Sequence, residues 1–328
     1  MSMPRLVYMG TPAFAVPALE VLAARTGIDL ALVVTQPDRP AGRGRHLTSP
    51  PVKTAASNLG LPTLQTHTLR DPSIRTRITD LAPDLIVVAA FGLILGRWIL
   101  VLPAAGCVNL HASLLPHHRG ANPIATAIFN GDPVTGVSLM RMEPGLDTGP
   151  VFATRSLNIL PADTTESLTP RLAVLAAELL AENLDALLHG SLIPVSQEEP
   201  ATLTEPLVKA DGRLDWTRSA VDLDRQIRAM WPWPRAFSHL PNAVATTLQI
   251  HTAVVPRLDD SFPSANYLAP GLVLANTTGI HGVLVATGQE SPLAALLLTT
   301  VQFPGGRPLS GASLTNHPLL APGTVFQY

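Results

Sequence analysis

Two short segments of this 328-residue chain carry side chains able to polarise a carbonyl and move a proton. Asn109-Leu110-His111-Ala112-Ser113-Leu114-Leu115-Pro116 follows a strand-like apolar run and sets an amide and an imidazole two residues apart. In an extended chain both side chains leave the same face. Gly145-Leu146-Asp147-Thr148-Gly149 adds a carboxylate in a glycine-flanked turn. An amine attacking an acyl carbon builds an oxyanion and must lose a proton. Asn109 and His111 offer N–H donors for that oxygen. Asp147 is placed to orient the imidazole, to favour its protonated form, or to pass a proton through water. The chemistry is acyl-type transfer without a covalent intermediate.

Other readings of these residues stay open on spacing alone. Asn109 and His111 also suit satisfied polar groups at a strand end. Asp147-Thr148-Gly149 matches an aspartic-protease triplet, but a single-chain protease of that type needs two, and there is one. His111, His117 and His118 lack a suitably spaced carboxylate or cysteine, and Arg119 repels a cation, so no metal is expected. Cys107, the lone cysteine, reads as a small buried hydrophobe. The segment Gln36 to Leu47 holds Arg39, Arg43 and Arg45 against Asp38 on a Pro/Gly backbone. It suits a solvated loop and a phosphate-gripping loop equally.

The elements that must position these groups alternate between strand and helix. Strand-like runs lie at Leu6–Met9, Leu30–Val34, Leu85–Ala90, Cys107–Leu110 and Thr135–Met140. Helical patterns lie at Pro17–Ala24, Val52–Leu59, Ile124–Phe129 and Leu168–His189. This alternation predicts an α/β, Rossmann-like, mostly parallel sheet with ligands beyond its carboxyl ends, where Gly10, Phe91-Gly92 and Asn109–Ser113 fall. Gly-x-Gly-x-x-Gly is absent at Gly10, so a nicotinamide cofactor is unsupported. Residues 191–206, rich in Pro, Ser, Thr and Glu, read as a linker. Strand-like runs at Ala243–Ile250, Leu272–Ala275, Gly282–Ala286 and Leu296–Val301 then predict a smaller β-barrel. The expected divisions are 1–190, a linker at 191–206, and 207–328.

Composition narrows the partners. The chain is 46% hydrophobic and only 14% charged, which suits a well-packed core rather than disorder. A net charge of −2 argues against coating nucleic acid along the whole surface, though not against a local basic patch. No apolar run is long enough to span a bilayer, and the first ten residues lack a signal-peptide core. A cytoplasmic monomer without membrane contact is expected.

The motifs together resemble the methionyl-tRNA formyltransferase family within the folate-dependent formyltransferase group. The likeness runs nearly end to end. It includes Met9-Gly10-Thr11-Pro12, Thr35 to Gly44, Phe91-Gly92-Leu93-Ile94-Leu95, Asn109 to Pro116 and Arg119-Gly120. It continues through Gly145 to Gly149, Arg213-Leu214-Asp215-Trp216, Ile227-Arg228-Ala229 and Trp231-Pro232-Trp233-Pro234. The resemblance implies 10-formyltetrahydrofolate as donor, initiator methionyl-tRNA as acceptor, and Asn109, His111 and Asp147 as the catalytic trio. It implies folate contacts at Phe91, Gly92, Leu93, Ile94, Ser113, Leu114, Leu115, Pro116, Arg141, Gly145 and Leu146. It implies tRNA contacts at Arg39, Arg43, Arg45, Arg119, Lys209 and Arg213, and an OB-like second domain. Departures from the family pattern occur at Ala13, His117-His118 and Asn122. A nucleotide-sugar or small-amine formyltransferase is the runner-up, followed by a tRNA-binding protein with an inactive catalytic domain.

Overall fold

A computed structural model of the chain describes residues 3–41, 44, 46–241, 246–256, 268–277, 281–288 and 294–327. They form two compact units. The first holds residues up to Pro123, Val134–Asn158 and Ser167–Glu205. The second holds Ile124–Pro133, Ile159–Glu166 and the chain from Pro206 onward.

The strands of the first unit are β1 (Arg5–Gly10), β2 (Asp29–Thr35), β3 (Arg39–Ala41), β4 (His46–Thr48), β5 (Thr63–Gln65), β6 (Leu85–Ala89), β7 (Cys107–His111), β8 (Arg119–Gly120), β9 (Val134–Arg141), β10 (Val151–Asn158) and β11 (Leu203–Thr204). Seven of these make one sheet in the order β10-β9-β7-β6-β1-β2-β5. The pairs β1–β2, β1–β6, β2–β5 and β6–β7 are parallel. Beyond β7, the β9 and β10 pairings turn antiparallel. The middle strands are buried on both faces, which explains their unbroken apolar runs: every residue of β6 is buried. Each buried Leu, Ile or Val there contributes roughly 1.5–3 kcal/mol relative to exposure.

The α-helices in chain order are α1 (Val16–Ala24), α2 (Pro51–Asn58), α3 (Pro72–Asp80), α4 (Arg97–Leu100), α5 (Pro123–Asn130), α6 (Thr165–Leu188), α7 (Ala220–Ala229) and α8 (Gly311–Thr315). Proline at the first or second position opens α1, α2 and α3, where a missing N–H breaks no bond. Asp71 caps α3, accepting from the Ser73 N–H at 2.9 Å.

The strands of the second unit are β12 (Ala236–His239), β13 (Thr247–Val254), β14 (Val273–Thr277), β15 (Gly282–Ala286), β16 (Ala295–Gln302) and β17 (Pro308–Ser310). The sheet runs β12-β13-β16-β15-β14, with β17 on β16. The C-terminal tail links its two edges. Val325 bridges Leu272 beside β14, and Gln327 bridges His239 at the end of β12. The expected small barrel is thus an antiparallel sheet closed by its own tail. Its core includes Trp216, which is fully buried, stacks on Phe326 at 5.2 Å and donates its indole N–H to Ser238.

Two sequence readings change. Residues 191–206, expected as a linker, belong mostly to the first unit and are hydrogen-bonded along it. β11 pairs in parallel with β8, and Val195 bridges Val151. The basic loop is anchored as a hairpin of β3 and β4, not an irregular stretch. Arg43 and Arg45 lie outside the described residues.

Candidate active site

β7 ends the parallel half of the sheet, and its last residues carry the predicted amide and imidazole. Asn109 and His111 alternate with the buried Leu110, so both project from one face. Antiparallel β9 runs alongside, and the turn after it returns Asp147 to that face. The Asp147 carboxylate lies 3.5 Å from Nδ2 of Asn109 through Oδ1, and 3.5 Å from Nδ1 of His111 through Oδ2. The predicted trio therefore converges. His111 is 6% exposed and Asp147 15%, so both side chains meet little water.

The backbone holds this geometry. Oδ2 of Asp147 accepts the Gly120 N–H at 2.8 Å. Nε2 of His111 lies 2.9 Å from the His118 carbonyl oxygen. A carbonyl only accepts, so Nε2 carries a proton and the neutral ring presents a bare Nδ1 to Asp147. A ring N–H for an oxyanion must then come from a protonated Nδ1. His118 reaches that position with φ +58°, and Asp147 itself sits at φ +52°, a conformation that aspartate tolerates better than most residues. Gly149 cannot be replaced: a Cβ there would lie 2.0 Å from the Arg141 carbonyl oxygen.

The residues expected to contact folate separate into framework and surface. Phe91 is core, and its carbonyl accepts from Thr11 Oγ1 and Gln36 Nε2, each at 2.9 Å. Gly92 has φ +79°, and a Cβ there would fall 2.4 Å from Gln36 Nε2. Leu93 packs partly against the core, while Ile94 is 93% exposed. Ser113 donates to the His117 carbonyl, and Ser138 ties Ser113 to Leu115 through its hydroxyl. Leu114 and Pro116 are half-buried. Arg141 lies over the Phe152 ring at 5.3 Å, Gly145 has φ +136°, and Leu146 is exposed.

Of the residues expected to contact tRNA, Arg39, Lys209 and Arg213 are exposed. Arg119 is not: it is 8% exposed and turned toward Gln197 and Glu199. A buried guanidinium engaged by protein acceptors is a brace, so the expected phosphate contact at Arg119 is withdrawn. In the second unit Trp231 packs on His251 at 4.8 Å, while Trp233 is exposed. Sequence reasoning missed Gln36, Gln197, the Gly120 N–H and the His118 carbonyl. Backbone groups leave no signal in a sequence, and Gln197 sits in a segment without periodicity.

Among the described residues no group of three or more His, Cys, Asp and Glu is placed to hold a metal, and no helix is long and apolar enough to cross a membrane.

Comparison with known proteins fits this arrangement. The formyl transferase family model matches residues 5–184, and the formyl transferase C-terminal domain model matches residues 206–318. The methionyl-tRNA formyltransferase of Myxococcus xanthus is 45% identical over 325 residues, covering 99% of this chain and 98% of that protein. An N-formyltransferase from Helicobacter canadensis, solved with folinic acid and dTDP-3-aminofucose, superposes with a TM-score of 0.64 at 15% identity. It covers 90% of this chain and 99% of that one. The methionyl-tRNA formyltransferase of Clostridium thermocellum gives 0.53 at 17% identity, covering 77% and 94%. These structural likenesses concern the fold, while the sequence identity over nearly the whole length settles the family: the chain belongs to the methionyl-tRNA formyltransferases.

Proposed function

We propose that the enzyme transfers the formyl group of 10-formyltetrahydrofolate to the α-amino group of methionine on initiator methionyl-tRNA. We also propose that Asn109, His111 and Asp147 carry out the transfer. The observation that supports this most is the position of Asp147 between the Asn109 amide and the His111 ring.

The neutral amine attacks the formyl carbon, forming a C–N bond as the carbonyl π electrons move to oxygen. An N–H of Asn109 and a protonated Nδ1 of His111 stabilise that oxyanion. Each such donor contributes about 10²–10³-fold in turnover. The attacking nitrogen becomes cationic and loses a proton toward Asp147. Collapse of the intermediate breaks the bond to N10 of the folate, which takes up a proton, so none is gained or lost overall. The exposed Ile94 and Leu146 offer apolar surface for a pterin beside the backbone of residues 91–95 and 141–146.

The acceptor is read by the hairpin of β3 and β4 with Arg39, Arg43 and Arg45, and by Lys209 and Arg213. The decisive experiment is formyl transfer from 10-formyltetrahydrofolate to methionyl initiator tRNA, run beside methionyl elongator tRNA. Transfer to the initiator alone supports donor and acceptor together. Donor turnover with transfer to neither tRNA keeps the trio and removes the acceptor.

A further inference from the structure

The last segment of the first unit reaches into the candidate active site. Both amide hydrogens of Gln197 are engaged: Nε2 lies 2.7 Å from the Asp147 carbonyl oxygen and 2.7 Å from that of Gly149. Its Oε1 accepts from Nε of the buried Arg119 at 2.9 Å. One side chain thus bridges the two carbonyls that flank Thr148 and ties them to Arg119, the residue before Gly120. Gly120 is the residue whose N–H holds the Asp147 carboxylate. The same segment secures the other side. Thr202 Oγ1 accepts the His118 N–H at 2.7 Å, and His118 supplies the carbonyl that fixes the His111 ring. Parallel pairing of β11 with β8 closes the arrangement.

We propose that Gln197 is a positioning residue for the formyl-transfer reaction, fixing the Asp147 turn from the chain segment that leads into the second domain. The proposal rests on the reading of Asp147 as catalytic. Three properties point to it. The two donors of a carboxamide are matched to two carbonyls, which glutamate could not satisfy. Asp147 sits at φ +52°, a conformation held by its surroundings rather than by preference. Its distances to Asn109 and His111 are both long, so the carboxylate's place is set mainly by its backbone and by Gly120. Displacing a reacting group by about 1 Å costs turnover by about 10²-fold.

The test compares Gln197→Met, similar in length without the hydrogen bonds, with Gln197→Glu, similar in shape with repulsion toward both carbonyls. Expected for both is a fall in kcat approaching 10²-fold, with KM for tRNA and folate affinity within about threefold of the parent. The pH profile of kcat shifts, because the charge beside His111 has moved. Hydrogen exchange at the Gly120 amide speeds up, since its acceptor is no longer docked. In the Asp147→Asn background, Gln197→Met adds little further loss. Unchanged kcat in both variants overturns the proposal. So does a loss carried in KM, or one that tracks a lowered Tm, with the pH profile and Gly120 exchange unmoved. The Asp147→Asn variant keeps the two ideas apart. If it turns over normally, the catalytic reading fails first; if it is crippled while Gln197→Met is normal, only the positioning role fails.

Discussion

The N–H of Gly120 donates to Oδ2 of Asp147 at 2.8 Å, across 27 residues of sequence. It is the shortest contact that the carboxylate makes among those described, shorter than the 3.5 Å separations from Asn109 and His111. Gly120 has φ +105°, and a Cβ there would lie 2.5 Å from the Thr204 carbonyl oxygen. The glycine is therefore required twice, by its conformation and by the close passage of β11.

Gly120→Ala should consequently damage both fold and site. Left-handed strain and a backbone clash each cost of order 1–3 kcal/mol. The expected outcome is a Tm lower by several degrees and a fall in kcat larger than partial unfolding explains. Thermal melts and turnover at a temperature well below the transition would check it. An unchanged melt with parental turnover would mean that β8 and β11 part easily.

Asp147→Asn separates charge from shape. The new side chain retains an oxygen for the Gly120 N–H, so Tm should stay within a few degrees. On the mechanism proposed above, turnover should drop by about 10³-fold, because the attacking amine loses its proton acceptor. Steady-state kinetics beside a melt decide this, and near-normal kcat removes Asp147 from the reaction.

Much of this architecture was legible because burial writes itself into apolar runs. The strands β6, β7 and β9 and the helix α6 lie where their periodicity predicts them, within a few residues. The elements that were missed lack such a pattern. In α3 only Ile78 is buried, so no apolar stripe marks it. β10 lies at the sheet edge, and its alternating, half-exposed face is ambiguous. In the site, Asn109, His111 and Asp147, singled out by type and spacing, have side chains that come together. Their supports were not singled out: the His118 carbonyl, the Gly120 N–H and Gln197 act through contacts spanning up to 78 residues. The polarity of 191–206 reads as a linker, whereas Gln197, Thr202 and Thr204 bond backbone groups of the first unit.

Cys107 should be inert in the native protein. Burial pushes its thiol from 9.0 up to about 12, and it sits 1% exposed in the core. A raised folded value means that stability from this group is complete below its unfolded value and declines as pH rises toward 12. At pH 8, a thiol reagent such as 5,5′-dithiobis(2-nitrobenzoate) should react with no equivalent in buffer and one in denaturant. Rapid reaction of the folded enzyme would contradict this burial.

His251 should make the second domain acid-sensitive. Burial first, then the Arg235 guanidinium, holds its pKa below the usual 6.5, against a smaller opposing hydrogen bond with Gln302. With the folded value depressed, its contribution is present above pH 6.5 and is lost as pH falls below it. His251→Phe keeps a ring against Trp231 but cannot titrate. Melts from pH 7.5 to 5 should show the parent losing more Tm than the variant, with the gap opening below pH 6.5. Parallel curves would assign the acid sensitivity to other groups.

Arg39→Ala tests how the basic hairpin is joined to the donor site. Arg39 lies at the root of the hairpin and donates to Gln36 Oε1, while Gln36 Nε2 donates to the Phe91 carbonyl. The guanidinium therefore has two possible roles, a phosphate contact and a brace on Gln36. As a phosphate contact, its loss raises KM for tRNA, reduces the slope of log KM against log salt by about one, and leaves folate affinity alone. As a brace, its loss frees Gln36 and weakens folate binding without changing the salt slope. Exposure of Arg39 favours the first result. Measuring KM for methionyl initiator tRNA at several salt concentrations, beside a folate titration, distinguishes them. Loss of folate affinity at constant salt slope would place Arg39 in the donor framework instead of the acceptor surface.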